Sequence, residues 1–158
     1  MRLVVFLNPW VDPRGAGWNI IQSVTAVGAG GFSGVGFLEG TQSHLRFLPQ
    51  QSTDFIFSII AEEWGFLGGL AIIGLFALII GRGLTIIYAA KDSFATLVAT
   101  GIVAMIFFHT AVNIGMAIGI MPITGIPLML VSYGGSSLWT AMIGIGFLIN
   151  VGLARLRS

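Results

Sequence analysis

Cysteine is absent from the 158 residues, and charge is scarce: seven Lys and Arg against six Asp and Glu, 8% of the chain, for a net charge of +1. Without thiols there is no disulfide framework, no thiolate chemistry and no cysteine-ligated zinc. The two histidines, His44 and His109, stand far apart in sequence and make a weak case for a metal site of their own. No basic excess marks a nucleic-acid partner. The opening MRLVVFLNPW is not read as a secretory signal, because its apolar run is short and no small-residue cleavage site follows.

What the chain does have is apolar surface: 56% hydrophobic residues and a mean hydropathy of +0.97. An average soluble domain is about 25% charged. A chain this short buries only about two-thirds of its surface, so the excess points to a bilayer. The sequence predicts an all-α fold, a polytopic transmembrane helix bundle fragment of about three spans. A long extracellular glycine-rich loop, residues 1–52, precedes them. Gly and Pro punctuate that loop from Pro9 to Gly40. Its interleaved aromatics (Trp10, Trp18, Phe32, Phe37) suit a structured segment packed on helices better than a disordered linker. A short helix is expected near 17–27.

The first span is expected at 53–80, with Ser52 or Thr53 capping its start. The second is expected at 94–121 and the third at 128–153, each long enough for the roughly 30 Å hydrocarbon core. Pro122 and Pro127 bracket the turn between them. Arg82 and Lys91 fall in the 81–93 loop, and Arg155 and Arg157 in the 154–158 tail. The 122–127 turn has no Lys or Arg. By the positive-inside rule the loop and tail are cytoplasmic, while the turn and the 1–52 segment face outside. Gly65 with Gly69, and Gly115 with Gly119, are spaced for close helix packing. Three spans alone make a thin bundle, so further helices or other chains are expected around it.

Few residues could carry chemistry. Asp54 is the first acid at the outer mouth of span one, with Glu62 and Glu63 two turns deeper. On a continuous helix Glu62 lies about 80° around from Asp54, and Glu63 on the opposite side. Intramembrane acids usually face a bundle interior or a watery cavity. One reading makes Asp54 a base or cation ligand in such a cavity, and the other makes it a helix cap favoured by the dipole. For the Glu pair, bonding between helices is the better reading. His109 and Asn113, four apart on span two, are placed for bonds across helices, with a proton relay the lesser reading. Ser132, Tyr133, Gly134, Gly135, Ser136 and Ser137 open span three and allow close approach of a head group or loop. The glycines from Gly28 to Gly36 lack the strand–helix context and the Lys-Ser/Thr ending of nucleotide loops. No Ser-His-Asp arrangement is present in recognisable form.

In order, the chain reads GTQSHLRFLP, TDFIF, AEEWG, NIGM, TGIPL and SYGGSS. It strongly resembles the C-terminal part of the SEDS family, the RodA/FtsW peptidoglycan polymerases, nearer the RodA (cell elongation) branch than the FtsW (cell division) branch. The resemblance covers nearly the whole chain. It implies a glycosyltransferase with about ten membrane helices that polymerises lipid II outside the bacterial cytoplasmic (inner) membrane, beside a class B penicillin-binding protein. The family's essential aspartate maps onto Asp54. By that likeness Asp54 deprotonates the acceptor sugar hydroxyl or holds a divalent cation, magnesium or manganese. Gln22, Ser23, Gly30, Gly31, Gln42, Thr53, Glu62, Glu63 and Ser132 to Ser136 are expected to line the substrate cavity.

The sequence departs from the family pattern where Gln50, rather than the usual Glu, follows Pro49, which weakens a metal role for that position. Gly28-Ala29-Gly30-Gly31 replaces a common Gly-Ser-Gly-Gly. The resemblance also implies six or seven helices ahead of the Met1 position, so this chain alone is expected to show little or no polymerase activity. Two competing readings are a lipid flippase or transporter and a non-catalytic scaffold for the penicillin-binding protein.

Overall fold

The computed structural model describes residues 16–34, 36, 54–90 and 92–154. Four helices account for most of them: α1 (Ala16–Ala29), α2 (Ile56–Ala89), α3 (Ser93–Ala117) and α4 (Gly135–Ala154). There is no strand among the described residues. The helices α2, α3 and α4 are long and apolar enough to cross a membrane. Their outer faces carry large apolar side chains such as Leu78, Leu97, Phe107 and Phe147, each more than half exposed. Such a surface suits lipid rather than water. The expected Ser52 and Thr53 caps, the 37–53 stretch, Lys91 and the 155–158 tail lie outside the described residues.

The sequence reading takes 53–80 as one straight span, and the structure corrects this. The helix is broken at Gly65, whose φ of 65° and ψ of −159° no side-chain-bearing residue adopts readily. The nine residues before the break then run back along those after it. The Phe57 ring lies 3.4 Å from where a Cβ on Gly69 would sit, and the Ile60 carbonyl is equally close to Gly68. In a continuous helix positions 57 and 69 would be about 18 Å apart. A hairpin of two helical arms, 56–64 and 66–89, therefore replaces one long rod. The second arm, about 36 Å long, is the membrane-crossing part. It continues to Ala89, past the loop expected from residue 81, and Gly83 there lies flush against Val103 where a methyl group would not fit.

Asp92 caps α3, accepting from the Ala95 amide at 3.3 Å. The helix ends four residues earlier than expected. Gly119, at φ 76°, adopts the left-handed conformation that closes a helix. Ile120 N–H donates to the Gly115 carbonyl at 2.8 Å and Gly119 N–H to that of Met116 at 3.1 Å. Gly115 and Gly119 thus form a helix stop rather than a helix-packing pair. The third span starts at Gly135, not 128. Residues 128–131 form a turn in which Leu130 has φ 70° and the amides of Val131 and Ser132 donate to the Leu128 carbonyl.

The core settles the vertical register. Phe76, Ile106, Leu128, Met129 and Ala141 form one buried cluster, against which Ile56 and Ile72 pack. A second holds Phe57, Ala61 and Ala117 together, and a third Ala99, Val103 and Leu148. Residues 118–134 therefore dip into the bundle, since Leu128 and Met129 reach the level of Ile106 in mid-helix. The end of the bundle carrying this segment is termed the loop end.

Candidate active site

Polar groups inside an apolar bundle need partners, because no water competes to satisfy them. The break at Gly65 frees backbone groups on both arms, and the glycine segment after α1 meets them. Phe66 N–H donates to the Gly31 carbonyl at 2.9 Å and Leu67 N–H to that of Phe32 at 3.4 Å. Gly36 N–H donates to the Glu63 carbonyl at 3.3 Å. Backbone approaches backbone so closely that Cβ atoms have no room. One on Gly30 would strike the Ala61 carbonyl, one on Gly34 the Glu63 carbonyl, and one on Gly65 the Gly34 amide. Gly31 instead is exposed, with open space beside it.

A buried hydroxyl pair fastens the next turn. Ser23 Oγ lies 2.6 Å from Ser58 Oγ and donates to the Ala117 carbonyl at 2.8 Å, joining α1, the first arm of α2 and α3. Both serines are fully buried. Gln22, half-buried beside Ser23, leaves its Oε1 without a partner among the described residues.

The hairpin reverses the expected order of the acids. The first arm runs away from the loop end toward its own N-terminus, so Asp54 lies farther into the bundle than Glu62 by about 12 Å along the arm. Glu62 is fully buried near the break, beside Gly30, and Glu63 is half-buried. Asp54 is 7% exposed. It is not the helix cap: Phe55 occupies the cap position and makes no side-chain cap bond.

Asn113 is the polar centre at that depth. Its Nδ2 donates to the Asp54 backbone carbonyl at 2.9 Å and to the Ile126 carbonyl at 2.8 Å. Two carbonyls can only accept, which fixes the amide orientation. Its Oδ1 finds no partner among the described residues. Leaving such an acceptor unpaired costs about 1–3 kcal/mol, so the arrangement favours holding two carbonyls over satisfying one oxygen. One turn farther in, His109 Nδ1 lies 3.4 Å from the Pro127 carbonyl. The His109/Asn113 face of α3 thus serves backbone carbonyls of non-helical segments. Sequence reading anticipated bonds from this face but not these acceptors. The signal available was a polar pair on an apolar helix opposite a proline-bracketed turn.

The turn completes the site. Gly125, exposed and at φ 74°, places its Cβ direction 3.4 Å from Asp54 Oδ2. Thr124 N–H and Oγ1 lie 3.0 and 3.2 Å from Met116 Sδ, pinning the turn from its other side. Gly135 begins α4 about 9 Å before Ala141 along the axis, which brings the SYGGSS stretch to roughly the depth of Asn113. Within it Ser132 is buried, while Tyr133, Gly135 and Ser136 are exposed. Gly134 is half-buried and its carbonyl accepts from Ser137 Oγ at 2.9 Å. Gln42 and Thr53 lie outside the described residues.

Asp54 is the acid that these contacts bring to the turn. No group of three or more metal-ligating side chains comes together among the described residues. The described donor set does not by itself fit a divalent cation.

The profile of the FtsW/RodA/SpoVE family, described as cell cycle proteins, matches residues 1–155. The chain is 58% identical over 156 residues to the peptidoglycan glycosyltransferase RodA of Treponema pallidum (strain Nichols), covering 99% of this chain and 36% of that protein. It is 48% identical over 150 residues to the peptidoglycan glycosyltransferase MrdB of Escherichia coli (strain K12), covering 95% and 40%. The chain therefore spans about two fifths of the length of these relatives. Among solved structures, it superposes with a TM-score of 0.80 and 32% identity on a chain of a peptidoglycan synthase complex described as coordinating polymerization and crosslinking, covering 99% and 42%. It matches a mutant of the rod shape determining protein RodA of Thermus thermophilus at TM-score 0.62 and 40% identity, covering 67% and 36%.

Proposed function

Because the chain belongs to the FtsW/RodA/SpoVE family of cell cycle proteins, we propose that it serves peptidoglycan glycan-strand polymerisation, with Asp54 as the base acting on lipid II. Asp54 takes the proton from the acceptor sugar hydroxyl as that oxygen attacks the anomeric carbon of the donor, and the lipid pyrophosphate leaves. The observation that carries this reading is the local construction. The Asp54 backbone is fixed by Asn113, while its Oδ2 faces Gly125, a residue without a side chain. A base held in place and left unscreened is what proton transfer to a positioned group requires.

The loop end then faces outside the cytoplasmic membrane, so the sugars meet near Asp54 while the polyprenyl tails remain in lipid. The exposed residues of the α4 opening, Tyr133, Gly135 and Ser136, border the space the head groups would enter. A class B penicillin-binding protein is the proposed partner, in keeping with the complex of polymerization and crosslinking that the chain resembles. The RodA-like relatives favour a role in elongation and cell shape.

The test replaces the corresponding stretch of a full-length relative with this chain, with and without Asp54→Asn, and measures glycan polymer formed from purified lipid II. The substitution keeps size and removes the base, so polymer formation should fall about 10²–10⁴-fold with membrane abundance unchanged. Polymerisation at the parental rate in the Asn variant refutes the assignment.

A further inference from the structure

We infer that Asn113 is a positioning residue for the chemistry at Asp54. This rests on the reading of Asp54 as the base. Asp54 belongs to no regular helix: Phe55 and Ile56 follow it into the first arm of α2, and Asp54 itself sits in the turn before that arm. Its backbone carbonyl therefore has no place in a helical ladder, and Asn113 Nδ2 takes it up at 2.9 Å. The same nitrogen holds the Ile126 carbonyl at 2.8 Å, and Ile126 follows the glycine that faces Asp54 Oδ2. One buried amide thus sets two backbones against each other: the one that carries the carboxylate and the one that bounds the space in front of it.

Asn113 is fully buried, and α3 around it is held by independent contacts, including the Ala117 carbonyl fastened to Ser23 and Met116 against Thr124. Releasing the Asn113 bonds therefore frees Asp54 and the turn without releasing the helix. A displacement of about 1 Å at a reacting group can cost on the order of 10²-fold in rate. Asn113 does this through its contacts with backbone carbonyls, and no contact with substrate is invoked.

The experiment uses the same full-length chimaera and reads kcat, KM and thermal unfolding. Asn113→Asp keeps the shape and removes both donors. Its kcat should fall about 10²-fold while KM stays near that of the parent. Thr110→Val, which breaks only a bond within α3 to the Ile106 carbonyl, should leave kcat unchanged and so controls for a general loss of packing. Asn113→Asp combined with Asp54→Asn should be no slower than Asp54→Asn alone. If Asn113→Asp fails to accumulate, Asn113→Ser, which retains one donor, should give an intermediate loss of kcat. Parental kcat in a folded Asn113 variant overturns the inference, as does a double variant slower than Asp54→Asn by the full factor. Parental activity in Asp54→Asn instead overturns the reading of the base itself, whatever the Asn113 variants show.

Discussion

The two ends of this bundle are built on different physics. Toward the far end, the second arm of α2 packs on α3 and α4 as uninterrupted helix. Backbone groups are satisfied within each helix, and neighbours meet through small residues against branched ones: Gly83 on Val103, Gly144 on Ile102 and Gly152 on Ile86. At the loop end the helices stop or fold back, and irregular backbone enters the bundle. There several groups are met by partners remote in sequence: the Gly31 and Phe32 carbonyls at the Gly65 break, Ser23 across three elements, and Asn113 across two. Irregular backbone survives at membrane depth only when protein or water meets its polar groups. The loop end can therefore hold a carboxylate inside an apolar bundle, at the cost of tolerating little change.

That contrast is sharpest at the backbone interlock. Gly34→Ala or Gly65→Ala should be the most damaging substitutions for folding. Each drives a methyl group into backbone and imposes a side chain on a positive φ. Strain of about 1–3 kcal/mol and overpacking of about 1–3 kcal/mol should add, visible as loss of membrane-inserted protein and a lower unfolding temperature in detergent. Ser23→Ala should follow, at about 1–3 kcal/mol, because it leaves the buried Ser58 hydroxyl and the Ala117 carbonyl short of a partner. At the far end the effects should be smaller and should depend on local space. Gly83→Ala should destabilise by overpacking, about 1–3 kcal/mol, and Val103→Ala should relieve it. Gly81→Ala and Gly101→Ala, which meet nothing within 4 Å, should be neutral or stabilising by up to about 1 kcal/mol. A far-end Gly81→Ala as harmful as Gly34→Ala would erase the comparison.

The far end was legible in the sequence, because long apolar runs without charge specify spans whatever packs around them. Three spans are expected, and three membrane-length helices are present among the described residues. Asp54 was singled out by its motif, and the structure sets it against Gly125 and Asn113. The loop end was legible only in its ingredients. Nothing between Thr53 and Ile80 resembles a helix breaker except glycine, and Gly65 breaks the helix through partners thirty residues away. The expected order of the acids was consequently reversed. The stretch from Leu128 to Val131 is apolar and reads as helix, yet Leu130 takes a left-handed backbone to bring Leu128 and Met129 into the core. Gly115 and Gly119 match a packing motif by spacing, but one supplies the carbonyl that terminates α3 and the other the turn. Spacing predicts which residues share a face of a helix only where the helix continues.

The fold-back of α2 at Gly65 carries Asp54 down to the level of Asn113. Because the sequence contains no cysteine, a pair of introduced thiols gives a clean test. Phe57→Cys and Gly69→Cys should be joined within one chain by a short bifunctional thiol reagent in native membranes. A continuous helix holds these positions about 18 Å apart, beyond such a reagent, so a pair that reacts singly but never cross-links would contradict the account.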